Sequence, residues 1–216
     1  MVILDESKVA GGTQIDQDEI EENLSTGDLI FKRFDEFSNG RPNRILLHAV
    51  TFPLIGSWHS VGVVIKDTSD HLVSKNKYLV ATCSYKEFCC HKSRLLKQGV
   101  GLMTLEKFLS DASHVRYAPV KINPDYKIEQ LIYETLPGRD NPRDFSMNPI
   151  ELSLYEIGLT GLSGNCSATI VAEILQDLGI ISMLVDPAVM RIRDLLRISE
   201  NENKFFPAVQ GEIVNK

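Results

Sequence analysis

The sequence has no excess of positive charge. Its 23 Lys and Arg residues face 29 Asp and Glu, for a formal net charge of -6, and no basic block interrupts that balance. Phosphate binding needs a basic footprint, so the composition argues against a nucleic-acid partner. Long apolar runs are also missing. The longest, residues 45–56, is interrupted by His48, Thr51 and Pro53 and is too short for a bilayer-spanning helix. The first six residues carry neither a basic region nor an apolar core, and Met1-Val2 does not open a myristoylation signal. Cysteine is scarce: only Cys83, Cys89, Cys90 and Cys166, two of them adjacent, with no spaced framework. A chain of 216 residues can bury a core without staples. The expectation is a cytoplasmic protein with reduced thiols. Internal repeats and low-complexity linkers are absent as well.

What is present reads as one globular domain of the α+β class. Strand signals fill the middle of the chain and helix signals come late. Residues 29–31 form a short apolar run behind the turn composition of Ser25 to Asp28. Residues 59–65 read as a strand, with His59, Val61, Val63 and Ile65 on one face by period-two alternation. Residues 78–84 read as a second strand rich in β-formers, 99–103 as a third and 115–120 as a fourth. Thr104 is placed to cap a helix through Phe108-Leu109. Asn123-Pro124 is placed to open another, with residues 139–149 as a polar loop after it. The clearest helix carries Val171, Ile174, Leu175 and Leu178 as an apolar stripe and stops at Gly179. Asp186-Pro187 opens a last helix with Val189, Ile192 and Leu196 inward. The expected division is an acidic N-terminal arm at 1–22, loose or forming an added helix, a domain at 23–198 and a peripheral polar tail at 199–216.

Cys166 lies where the clearest helix begins, just after Gly164-Asn165. The first turn of a helix has unpaired N–H groups and a partial positive charge, both of which favour a thiolate. The same N–H groups can hold the oxyanion of a tetrahedral intermediate. Buried packing is the competing reading, because free cysteine is among the most buried residue types. A thiolate nucleophile needs a base, usually His. His59, behind Ser57-Trp58 at a strand start, has a more specific setting than His48, His71, His91 or His114. Cys83, Cys89, Cys90 and His91 do not have the spacing of a common zinc site, and no metal or cofactor is expected. Gly27 and Asp28 read as structural, the glycine for a turn and the carboxylate for backbone hydrogen bonds.

Three segments, taken in order, carry a resemblance: Gly27-Asp28-Leu29-Ile30-Phe31, His59-Ser60-Val61-Gly62-Val63-Val64, and Asn165-Cys166-Ser167-Ala168 before an amphipathic helix. This pattern resembles the circularly permuted papain-like cysteine hydrolases. These are permuted relatives of the NlpC/P60 group and include the YiiX/YaeF-like, poxvirus and lecithin retinol acyltransferase-like proteins. The histidine precedes the cysteine, the reverse of ordinary papain. The resemblance covers residues 24–178. It implies a small antiparallel sheet packed against the helix that carries Cys166, with Cys166 as nucleophile, His59 as general base and the Cys166 N–H in the oxyanion hole. It also implies a third polar residue on the strand after the histidine strand. That strand holds no Glu or His, which departs from the pattern, and Thr82 is the best match, followed by Ser84.

The implied function is a thiol hydrolase that cleaves an amide bond, peptide or peptidoglycan-like, through an acyl-enzyme. A lipid acyl hydrolase or acyltransferase of the same fold is the alternative within the family. The missing acidic or imidazole third residue motivates another, a papain-like scaffold that binds a partner without catalysis. Oligomeric state is not legible.

Overall fold

The computed structural model describes residues 14–34, 58–66, 78–84, 99–121, 155, 158–159, 161 and 166–213. The segments expected around Asn123-Pro124, residues 139–149 and the Cys89-Cys90-His91 group lie outside them.

The protein is α+β, with one seven-stranded sheet. In chain order the strands are β1 (Gln14–Ile15), β2 (Leu29–Phe34), β3 (Ser60–Lys66), β4 (Tyr78–Ser84), β5 (Gly99–Thr104), β6 (Ala112–Ala118) and β7 (Val209–Ile213). The helices among the described residues are α1 (Gln17–Asn23), α2 (Leu105–Leu109), α3 (Ser167–Asp177) and α4 (Ile192–Ser199), with a 3-10 turn at Pro187–Val189. The spatial strand order is β1-β7-β6-β2-β3-β4-β5. Every neighbouring pair is antiparallel except β1 and β7, which are parallel.

Two of the expected boundaries fall away. Residues 1–22 were expected as an arm, loose or forming an added helix, and 199–216 as a peripheral tail. Instead β7 lies inside the sheet between β1 and β6, and both segments contribute strands. The arm also holds the helix α1, whose Ile20 is fully buried together with Ile15 and Leu24. Polar residues alternate along β7, so its composition hides a half-covered strand (Gly211 is buried between half-buried Gln210 and exposed Glu212).

The sheet is covered on both faces, which explains why Leu29, Ile30 and Phe31 are all fully buried in succession. Leu29, Phe31, Val61, Val63, Ile65, Leu79, Ala81 and Cys83 face one core, shared with α3 and α4. Ile30, Val64, Tyr78, Val80 and Met103 face a second core, shared with α1 and α2. Two successive residues of each strand therefore serve different cores.

Several local signals set this frame. Thr104 caps α2, its hydroxyl accepting the Lys107 N–H at 3.2 Å. Gly27 has φ +98° and donates its N–H to Val64 O at 2.8 Å. Asp28 is buried and accepts the Ser25 N–H at 2.8 Å and the Val120 N–H at 3.0 Å, the structural role expected of it. Helix α3 ends in a Schellman motif: Gly179, at φ +68°, donates to Gln176 O, and Ile180 donates to Leu175 O, each at 2.8 Å. The last helix starts later than Asp186-Pro187. Asp186 instead caps the 3-10 turn through Ala188 N, and Asp194 closes the start of α4 by accepting the Arg191 N–H at 3.1 Å. Val189, expected inward, is exposed, whereas Ile192 and Leu195 are buried.

Candidate functional site

Helix α3 packs against β3 and β4, so its first residue is held above the sheet rather than at the surface. Burial runs round the whole of its first two turns, from Ser167 to Ala172, and not only along the expected stripe. The sheet covers one side, and the 3-10 turn with α4 covers another. Cys166 is the N-cap of this helix, in extended conformation at φ -127° and ψ 178°, and only 5% of its surface is exposed.

The backbone at that cap is occupied. Cys166 donates its N–H to Thr169 Oγ1 at 2.8 Å, and the Thr169 hydroxyl donates to Cys166 O at 2.8 Å. This N–H was expected in the oxyanion hole, but in this arrangement it is spent on the cap. Helix geometry leaves the following N–H groups, of Ser167 and Ala168, without intrahelical acceptors.

His59 precedes β3 and is half-buried. Its N–H bonds to Lys32 O at 2.9 Å, although Lys32 is already the register partner of Ser60. Two residues of one strand thus oppose one residue of the other, the pattern of a β-bulge. The alternation that groups His59 with Val61, Val63 and Ile65 therefore stops at the bulge. Trp58, just before it, packs on the α3 side of the sheet, edge-on to Phe31 at 6.3 Å between ring centroids.

The expected third residue does not fit its place. Thr82 is fully buried, and its hydroxyl donates to Val61 O at 2.7 Å. On β4 it alternates with Ala81 and Cys83, which face α3, so Thr82 points to the other side of the sheet. A Cβ built on Gly62 confirms the sidedness, since it would meet Val80 and Thr82 and lie 3.1 Å from Ala81 O. The Ser84 side chain lies outside the described set.

The residues of β4 that face the α3 core are Leu79, Ala81 and Cys83, the last of which the sequence reading treated only as part of a poor zinc set. Cys83 shares the α3 core with Cys166 and is 6% exposed. Burial pushes its thiol above the ordinary range, and the neighbouring Cys166 pushes it further the same way. No sequence signal distinguishes Cys83 from Thr82 without knowing which face of β4 the later helix covers. Among the other histidines, His114 is described, in β6, with Nδ1 3.1 Å from Ser113 Oγ.

A second polar group also escaped sequence reading. Lys32 is buried within β2. Its ammonium donates to Phe108 O at 2.8 Å and pairs with Asp111 at 3.0 Å, and it lies 4.5 Å from the centre of the Phe108 ring. It belongs to the core opposite Cys166 and ties β2 to the turn after α2.

Among the described residues no cluster of His, Cys, Asp and Glu could hold a metal ion, and no helix is long and apolar enough to cross a membrane. No family model matches the chain, and no curated protein matches it either.

Proposed function

We propose that the protein is a thiol hydrolase in which Cys166 attacks an acyl carbon and His59 serves as base. The observation that carries this reading is the position of Cys166: a cysteine at the start of an 11-residue helix, seated on β3 and β4, with His59 directly before β3. The helix start favours the thiolate electrostatically. Bulges re-aim side chains and concentrate beside active sites. His59 takes the thiol proton and later returns it to the leaving group. With the Cys166 N–H held by Thr169, the oxyanion falls to the N–H groups of Ser167 and Ala168. The substrate class that accompanies the family resemblance is a peptide or peptidoglycan-like amide, in a permuted papain-like fold.

A second reading is favoured by particular observations. The Cys166 N–H is engaged, the Thr82 hydroxyl is committed to Val61 O on the far face, and Cys83, on the near face, is held neutral by burial. A papain-like scaffold that binds without catalysis would have these features.

Alkylation of Cys166 by iodoacetamide, followed by mass spectrometry across pH, separates the two. The hydrolase reading expects rapid labelling well below the free-thiol pKa of about 8.5, and a slowing of at least roughly tenfold in His59→Ala. An ordinary thiol profile that is indifferent to His59 would leave the binding scaffold as the account.

A further inference from the structure

Lys32 is the last residue of β2 with a register partner on both sides. Toward β3 it faces Ser60, and its carbonyl also accepts the His59 N–H at 2.9 Å. Toward β6 it faces Val115. Arg33 still faces His114, and the register then jumps so that Phe34 faces Ala112. Ser113 is the extra residue at that jump, and its hydroxyl donates to Arg33 O at 3.2 Å. The ladder is therefore irregular on both flanks within two residues of Lys32.

The Lys32 side chain leaves the strand on the face away from α3. Its ammonium donates to Phe108 O at 2.8 Å, pairs with Asp111 at 3.0 Å and lies 4.5 Å from the centre of the Phe108 ring. Both partners of the pair are nearly closed to solvent, with 5% of the Lys32 side chain and 9% of the Asp111 side chain exposed. Phe108 belongs to α2, and Asp111 lies in the turn before β6. These contacts fasten the end of β2 to that corner of the second core.

We infer that the Lys32–Asp111 pair positions His59, by locking β2 at the carbonyl from which the His59 backbone hangs. This role presupposes His59 as the base proposed above. A buried ion pair adds little stability over apolar residues of the same volume, and its best-attested use is to fix register. A slip of β2 by one residue would turn Lys32 to the other face of the sheet. The ammonium would then enter the apolar core under α3 without its counter-charge, which is strongly unfavourable. The pair thus admits one register of β2, and with it one placing of the bulge at His59. That placing governs where the imidazole is aimed, because an extra residue redirects the side chains of its strand. Lys32 and Asp111 act through the backbone, from the side of the sheet opposite Cys166.

The test compares the full-length protein with two variants. Lys32→Met with Asp111→Leu replaces the pair by apolar side chains. Asp111→Asn keeps an oxygen toward the ammonium and removes its charge. Amide hydrogen exchange along β3, followed by NMR, reads the bulge. The pH profile of Cys166 alkylation by iodoacetamide reads the base. In the double variant the His59 amide should lose protection, while Val64, whose N–H bonds to Asp28 O at 2.8 Å, keeps its own. Cys166 labelling at pH values below the free-thiol pKa should slow by about tenfold or more, toward the rate of His59→Ala. Asp111→Asn should show both changes in smaller measure, and it decides the matter if the double variant fails to fold. Folded variants that keep His59 protected would overturn the inference. So would an equal loss at His59 and Val64, or a wild-type alkylation profile despite lost protection at His59. An ordinary-thiol profile in the unaltered protein would instead sink the hydrolase reading, and the exchange pattern would still show whether the pair holds the bulge.

Discussion

Asp28 shows how one buried carboxyl sets a pH dependence. Burial raises it from 3.8 to about 6, against the lowering effect of the two backbone N–H groups it accepts. The folded state therefore holds this proton more tightly than the unfolded chain. Its contribution to stability is present in full below about pH 4 and is lost as the pH rises through about 6, a change of about 2–3 kcal/mol. Urea unfolding of the protein and of Asp28→Asn, compared at pH 4 and pH 7, checks this. The substitution should remove that slope, and it should also destabilise at acid pH because one of the two backbone N–H groups loses its acceptor. Lys32 and Asp111 make a different case, since each is charged and each needs the other. Asp111→Ala should cost about 3–5 kcal/mol by leaving a buried ammonium without its counter-charge. The double variant Lys32→Met with Asp111→Leu should cost less than the sum of the single changes, which denaturation measurements on all three proteins would reveal.

At the level of elements, much was legible where the residue pattern is local. β4 spans the seven residues expected of it, and the caps at Thr104 and Gly179 act as their residue types predict. Failures arose where the deciding partner lies elsewhere in the chain. The bulge at His59 depends on the carbonyl of Lys32, and the useful face of β4 depends on a helix that begins more than eighty residues later. Lys32 reads as the end of a strand until Asp111 is known to meet it. Of the candidate site, the helix behind Cys166 and the strand after His59 were legible, whereas the face of the sheet to which Thr82 points was not. The start of α3 offers a direct check on local energetics. Thr169→Val keeps the side-chain shape but deprives the buried Cys166 N–H of its acceptor, and it should destabilise by about 1–2 kcal/mol. Thr169→Ser should recover most of that loss in thermal or urea melts.

For the whole molecule, the lesson concerns the two polar ends of the chain. Acidic composition near the start and polar composition near the finish suggested attachments, yet β1 and β7 are sheet strands. Polar side chains on an exposed face look the same in sequence whether the backbone beneath them is paired or not. Removing residues 207–216 should accordingly do more than trim a tail. It would expose the β6 edge and leave β1 without a partner, so the truncated protein should melt well below the intact one by circular dichroism, or fail to stay in solution. The same pairing bears on the order of events during synthesis. Gln14 pairs with Glu212, so the first described strand finds its partner only after residue 212 has left the ribosome. Closing so long a loop is entropically expensive and tends to make folding slow. Until it closes, the emerging chain carries an unpaired β6 edge and the apolar face of α1, the surfaces most in need of shielding from other nascent chains.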